Sequence, residues 1–393
     1  MLAMGTFVAL AVGEAPRYWP HFSGSRAVST LDSDAWKYAM NMDPHFDSMD
    51  PFFSPSNATL TTTAAVPSCS DVVHGGAAGY LGPRGVAMYE RPFTTSGPIR
   101  LQFQACSFYC RVWINGKEIG EHRNGGYSAF FFDVDTDVLA SNGENTLFVL
   151  ADNRFNATTA PTHTGGDFWH YGGLVRSVEV HSLPTKTGDI YPWRAWVLPS
   201  KTTISDETFT APTAVDITVS VMGADATPGS NVTLTLSFDG GTSSTVSAKV
   251  LANRTIYLAG IPVPTPMLWA PRSPLMHTVA VAIDGAVVTE RFGLRAFALA
   301  HDATDGSTRV TLNGEVLKMV GWNHHTQWPV TAASPTDAQL DADIALLLEG
   351  GANYVRGAHY PQDPRWLDRL DEVSVPYYYF LLHVIIRANP AHN

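Results

Sequence analysis

Charge is scarce in this chain. Only 16% of its 393 residues are Asp, Glu, Lys or Arg, against about 25% in average globular proteins. The balance is acidic, with 25 Lys+Arg against 36 Asp+Glu and a formal net charge of −11. No basic run occurs, so nucleic acid and anionic membrane surfaces are not expected partners. Long apolar runs are lacking as well. The stretch from Val375 to Ile386 covers 12 residues, short of the roughly 18 that a membrane-spanning helix needs.

Cysteine is nearly absent. Cys69, Cys106 and Cys110 make an odd count with no metal-like spacing. Cys106 and Cys110 fall in Gln104-Ala-Cys-Ser-Phe-Tyr-Cys-Arg-Val-Trp113, which reads as a strand. Their even separation places them on one face about 13 Å apart, at about 3.3 Å per residue. That is too far to bridge, so all three are expected to be small buried core thiols. Several catalytic signatures are missing too. The chain holds no Gly-x-Ser-x-Gly elbow, no Gly-x-Gly-x-x-Gly after a strand, no P-loop and no His-Glu-x-x-His. Its 14 histidines show no ligand spacing, so no metal and no other cofactor is expected.

Turn formers are plentiful, with 32 Gly and 26 Pro. Over 25–184 short strand-like segments are separated by Gly, Asn and Asp turns, as in Ile99-Arg-Leu-Gln-Phe, Arg111-Val-Trp-Ile and Asn145-Thr-Leu-Phe-Val-Leu-Ala-Asp152. Asn115-Gly116 lies between two of them and suits a type I′ hairpin turn. This pattern predicts a jelly-roll β-sandwich. Over 185–300, Val215-Asp-Ile-Thr-Val-Ser-Val, Asn231-Val-Thr-Leu-Thr-Leu-Ser-Phe and His277-Thr-Val-Ala-Val-Ala-Ile alternate cleanly, which predicts an immunoglobulin-like β-sandwich.

The texture changes over 301–393. A hairpin around Asn313-Gly314 leads through Trp322-Asn-His-His325 into a helical stretch from Pro335 to Glu349. Ala352-Asn-Tyr-Val-Arg-Gly-Ala-His-Tyr-Pro361 reads as a strand ending in a loop. Pro364 to Glu372 reads as a second helix, and Val375 onward as a third strand. Strand, helix, strand, helix, strand is the grammar of a (β/α)8 TIM barrel. The 76 residues from Lys318 to Asn393 are under a third of the roughly 250 a barrel takes. The expectation is an incomplete barrel of about three strands with exposed apolar edges.

Three segments in register resemble family 2 glycoside hydrolases, the β-galactosidase, β-glucuronidase and β-mannosidase group. The first is Val112-Trp-Ile-Asn-Gly-Lys-Glu-Ile-Gly-Glu-His-Arg-Asn-Gly-Gly-Tyr-Ser-Ala-Phe-Phe-Phe-Asp133, similar to the hairpin of that family's sugar-binding domain. The second is Gly166-Asp-Phe-Trp-His-Tyr-Gly-Gly-Leu-Val-Arg-Ser-Val178, similar to the ending of the same domain. The third runs from Arg291-Phe-Gly-Leu-Arg295 through Gly321-Trp-Asn-His-His325 to Arg356-Gly-Ala-His-Tyr-Pro361.

The resemblance implies a retaining β-glycosidase acting on a β-glycoside or oligosaccharide. It matches Asp167 to an aspartate that reaches from the jelly roll into the barrel's sugar pocket. His359 matches a pocket histidine, Arg356 an arginine beneath it, and His325 the histidine after the first barrel strand. His324 stands where the family has an arginine, and Trp322 is the tryptophan best placed to stack on a sugar. Trp113, Trp169 and Trp269 are expected in cores.

Catalysis in this family needs two glutamates, the acid/base following an Asn. No Asn-Glu dipeptide occurs in the chain, and Glu315, Glu349 and Glu372 are poor substitutes. Both working glutamates are expected beyond Asn393, so this chain alone is expected to be inactive. The alternative class is a non-catalytic carbohydrate-binding or adhesive β-sandwich protein. Residues 1–24 read as a leader, because an apolar run precedes Ala11-Val-Gly13, which suits a signal peptidase. With sequons at Asn57, Asn156, Asn231 and Asn253, this predicts the secretory route, with the cytoplasm as the alternative. Homo-oligomerisation is left open.

Overall fold

The computed structural model describes residues 18–75, 84–123, 125–156, 168–184, 189–200, 209–271, 273–301, 304–373 and 375–379. The alternating segments of the first third pair into two antiparallel sheets. Among the described residues, one sheet runs in the order Thr62–Val66, Ser33–Asn41, Val86–Thr94, Glu144–Asp152, Tyr109–Ile114, Lys117–His122. The other runs Val28–Thr30, Val178–Ser182, Ile99–Phe103, Phe130–Val134. Trp36, Tyr89, Leu101, Phe103 and Val149 meet in the jelly-roll core between them, each large apolar side chain contributing about 1.5–3 kcal/mol. Asn115 and Gly116 adopt φ of 53° and 80°, the left-handed values that a type I′ turn requires.

The expected free thiols at Cys106 and Cys110 are corrected: the two are disulfide-bonded, with Cα atoms 6.4 Å apart. The strand spacing that kept them apart holds only within an unbroken strand. Here Ile99–Phe103 ends in one sheet and Tyr109–Ile114 begins in the other, and the chain turns between them. Cys69 remains a buried free cysteine.

The second sandwich sets a five-stranded sheet against a three-stranded one, among the described residues. The larger runs His21–Gly24, Ala286–Phe292, His277–Ile283, Asn231–Phe238, Ser244–Lys249, and the smaller Tyr191–Pro199, Ala214–Met222, Thr255–Pro262. Ala214–Met222 alternates buried and half-buried side chains throughout, as the period-two sequence predicts. The expected leader over 1–24 also needs correction. His21–Gly24 pairs antiparallel with Ala286–Thr289, and the Trp19 amide donates to Asp368 at 3.1 Å. Residues 18–24 thus belong to the fold; residues 1–17 lie outside the described residues.

The two sandwiches meet through a stack of alternating rings and guanidinium groups. Arg100 lies 3.8 Å from the Phe131 ring and 3.7 Å from Trp193. Arg26 lies 4.7 Å from Trp193 and 3.9 Å from Phe22. Desolvated cation–π contacts of this kind contribute up to about 2 kcal/mol each. Asp133 accepts from Arg100 at 2.6 and 2.8 Å, and Pro192 O accepts from Arg26 at 2.8 Å.

The last unit opens with antiparallel strands Phe297–His301, Thr308–Leu312 and Glu315–Val316, turning at Asn313 and Gly314 (φ 53° and 81°). Three parallel strands follow, Gly321–His324, Tyr354–Gly357 and Tyr377–Tyr379, alternating with helices Asp337–Glu349 and Pro364–Glu372. The first helix starts at a capping box in which Thr336 and Gln339 satisfy each other's backbone. The second has Asp363 as N-cap and Pro364 in its first turn. Leu340, Ile344, Leu347, Val355, Trp366 and Leu370 form the core between helices and strands. The fold is therefore a jelly roll, an immunoglobulin-like sandwich and the start of a TIM barrel. Among the described residues, no helix is long and apolar enough to cross a membrane.

Candidate functional site

Strand alternation sorts the candidate residues by direction. Asn323 and Arg356 are register partners on neighbouring parallel strands, and Arg356 Nη1 donates to Asn323 Oδ1 at 3.1 Å. Val355, between Tyr354 and Arg356, packs into the helix-side core, so Arg356 points to the barrel interior. Trp322 and His324 face the other way. The Trp322 indole lies against Gly350 at the end of the first helix, where a Cβ would stand 2.5 Å from the ring, and it is 45% exposed. His324 stacks on Trp366 at 4.1 Å, and its Nε2 lies 2.9 Å from Asp343 Oδ2, which also accepts from Trp328 Nε1 at 2.9 Å.

His325 and His359 leave the strand ends together. Their rings sit 5.2 Å apart at 70°. Phe168, from the jelly roll, lies 5.9 Å from His325 and 5.8 Å from His359. Tyr360 closes the group at 5.2 Å from Phe168 and 5.9 Å from His325. The structure thus brings His325 and His359 together and sets Arg356 on the neighbouring strand's inner face. It directs Trp322 and His324 to the helix layer. Asp167 lies outside the described residues, one position before Phe168. Of the other tryptophans, Trp113 and Trp269 are buried in cores, and Trp169 is half-buried beside Cys69 and Tyr171.

The loop carrying His359 is held at several points. Ala358 N donates to His324 O at 3.0 Å, and Gln362 Nε2 donates to Tyr360 O at 3.1 Å. Tyr360 stacks on Tyr127 of the jelly roll at 4.3 Å and 12°. Arg176 joins the same two units from within, its Nη1 donating to Tyr127 O and its Nη2 to Pro361 O, both at 2.7 Å. Burial pushes the Arg176 guanidinium down from its usual range, with Asp363 opposing. Burial also acts on Asp363, but Arg365 and Arg176 outweigh it and hold that carboxyl below its ordinary value.

On the jelly-roll side, Asp71 organises the segment that presents Phe168. Its carboxylate accepts from Gly172 N at 2.6 Å, Trp169 Nε1 at 3.2 Å and Asn153 Nδ2 at 3.2 Å. Burial raises its pKa against these hydrogen bonds. Arg84 lies 4.6 Å from Trp169 and 3.9 Å from Phe155. Asp71, Arg176 and Tyr360 escaped sequence reasoning. Arg176 and Tyr360 left traces, as the arginine of the Gly-Leu-Val-Arg segment and the tyrosine of His-Tyr-Pro361.

Flat rings, two imidazoles and an inward guanidinium suit a neutral or acidic hydroxylated ligand, held by stacking and polar contacts. The nearby Asp343 and Asp363 are engaged by His324 with Trp328, and by Arg365 at 2.8 Å.

Known proteins agree with this layout. The description "Glycosyl hydrolases family 2, sugar binding domain" matches residues 83–184, and "Glycosyl hydrolases family 2, TIM barrel domain" matches residues 304–376. A β-galactosidase of Thermoanaerobacter pseudethanolicus is 29% identical over 285 residues, covering 70% of this chain and 36% of that protein. A β-glucuronidase of Bacteroides fragilis is 31% identical over 303 residues, covering 74% of this chain and 41% of that protein. The chain thus spans about two fifths or less of the length of these relatives.

Solved structures share the fold. A β-galacturonidase from Eisenbergiella tayi bound to galacturonate superposes with a TM-score of 0.69 at 22% identity, over 90% of this chain and 57% of that one. A Bifidobacterium dentium β-glucuronidase complexed with coumarin-3-O-glucuronide gives 0.71 at 20%, over 90% and 60%. The order of the matched domains, the parallel strands and the relatives agree, and the chain belongs to glycosyl hydrolases family 2.

Proposed function

We propose that this chain is the sugar-holding part of a retaining β-glycosidase, with His325, His359, Arg356 and Asp167 contacting the glycone. The observation that carries this reading is the convergence of His325 and His359 with Phe168 across the join of jelly roll and barrel. Trp322 and His324 support the site from the helix side. Retaining hydrolysis needs two carboxyl groups about 5–5.5 Å apart, and the chain offers no Asn-Glu pair to begin one. Turnover therefore depends on carboxylates outside these 393 residues. The recombinant chain should leave aryl β-galactosides, β-glucuronides and β-mannosides intact. It should bind one of the parent sugars by calorimetry, and His359→Ala should weaken that binding at least tenfold. Turnover abolished by changes within this chain would sink the proposal.

We also propose that the chain follows the secretory route. The Cys106–Cys110 disulfide suits an oxidising compartment, and the four sequon asparagines Asn57, Asn156, Asn231 and Asn253 are all exposed. Expression in a eukaryotic secretory host should yield chains whose mass falls on N-glycosidase treatment. An unglycosylated product retained in the cytosol would contradict this.

A further inference from the structure

The outer face of the three-stranded sheet in the second sandwich differs from the exposed surface of the sheet packed against it. Trp196 is the register partner of Thr218, and Thr218 of Tyr257. The two aromatic residues therefore stand in one row, two strand spacings or about 10 Å apart. Their side chains are 47% and 50% exposed, and the small Thr218 sits between them. Tyr257 is fixed rather than loose, because its hydroxyl donates to Asp216 Oδ2 at 2.8 Å. Asp216 Oδ1 in turn accepts from Ser200 Oγ at 2.7 Å and Gly260 N at 2.8 Å. The exposed Leu198 is the register partner of Asp216. By contrast, the outward positions on three neighbouring strands of the five-stranded sheet include Thr233, Thr235, Ser247, Lys249 and Thr278, and none of them is aromatic.

Scattered exposed apolar residues need no explanation; two rings in one cross-strand row, about a disaccharide apart, with a fixed carboxylate and hydroxyls alongside, do. A β-linked sugar chain with equatorial hydroxyls is a flat ribbon. Its C–H faces pack on aromatic rings while its edges seek hydrogen-bond partners, and rigid Trp and Tyr side chains lose little freedom in making such contacts. We propose that this face is a carbohydrate-binding platform for an extended β-linked glycan, with Trp196 and Tyr257 as its two stacking rings. The platform shares no residue with the His325–His359 site and does not depend on the reading of that site.

The test is calorimetry of the full chain with cellopentaose, β-1,4-mannopentaose and β-1,4-xylopentaose, alongside sedimentation. At least one pentaose should bind. Trp196→Ala and Tyr257→Ala should each weaken it at least tenfold, the double variant should abolish it, and Trp196→Phe should restore most of it. His359→Ala should leave this binding unchanged, which separates the platform from the proposed glycone site. Both rings are exposed, so the variants retain the fold, to be confirmed by circular dichroism. Failure of all three pentaoses to bind, or binding indifferent to the double variant, would overturn the proposal. So would a concentration-dependent dimer that the double variant dissolves, since the face would then be a contact between copies of this chain.

Discussion

Replacing Arg176 with methionine should lower the unfolding free energy by about 3 kcal/mol and loosen the His359 loop. The side chain is buried and its two amino groups serve carbonyls from different units, Tyr127 of the jelly roll and Pro361 of the barrel. Methionine fills similar space but removes the charged donor from two partly buried carbonyls, and a hydrogen bond from a charged group is worth about 1.5–3 kcal/mol. Asp363 keeps Arg365 at 2.8 Å, so no carboxylate is stranded and the loss stays below that of a broken buried ion pair. Lysine reaches one carbonyl at a time and should recover about half. Urea unfolding gives the free energy, and the linewidths of the His359 and His325 ring protons report the loop. An unchanged midpoint with unchanged linewidths would show that the Tyr127–Tyr360 stack suffices to hold the join.

The second large effect is on pH. Burial pushes Glu179 up to about 8, Glu290 up to about 7 and Asp368 up to about 6. Glu179 is 1% exposed, and its Oε1 finds no hydrogen-bond partner among the described residues, so the neutral acid is the cheaper form there. Glu290 faces Arg194, Arg291 and Asp368, and Asp368 faces Arg291, Asp371 and Glu372. All three carboxyls titrate above their ordinary 4.5 or 3.8, so the folded chain keeps protons that the unfolded chain has released. Their contribution is complete below about pH 4 and is lost as pH rises through about 6, 7 and 8.

His181 acts with the opposite sign. Burial, with Arg26 and Arg100, pushes it down from 6.5 to about 3, so acid below its ordinary value favours the unfolded chain. The three carboxyls outweigh His181, so stability should fall by about 3 kcal/mol between about pH 6 and about pH 8.5, since a tenfold difference in proton affinity between the folded and unfolded chain is worth about 1.4 kcal/mol. Calorimetric melting at the two pH values checks this. Glu179→Gln keeps an acceptor for Gln102 and Gln104, which now donate to Glu179 Oε2 at 3.3 and 3.1 Å. It should flatten the alkaline limb. A melting temperature that rises between those two pH values would contradict the assignment.

Much of the fold was legible because it is written in local pattern. The turns at Asn115-Gly116 and Asn313-Gly314 were readable since few other residues accept their backbone angles. The helix over Pro364–Glu372 was readable from its proline start and apolar spacing. The misreadings came from assuming continuity. Cys106 and Cys110 were placed on one strand, but the chain leaves one sheet between Phe103 and Tyr109 and enters the other. At the site, His325 and His359 were singled out by the family resemblance, while the approach of their rings to 5.2 Å is a matter of the fold. The outward turn of Trp322 and His324 is a matter of strand parity, which a four-residue strand without clear alternation does not reveal. Arg176 and Asp71 act on partners far along the chain, and no local period marks them.

His21–Gly24 has one further consequence. The strand is made early, yet its neighbour Ala286–Phe292 follows more than 260 residues later. During synthesis the whole jelly roll emerges and can close before this edge finds its mate. Once the strand docks, the jelly roll becomes a loop inserted within the second sandwich, anchored to it at both ends. It cannot swing about a single linker, and the aim of Phe168 at the barrel is set by two attachments instead of one.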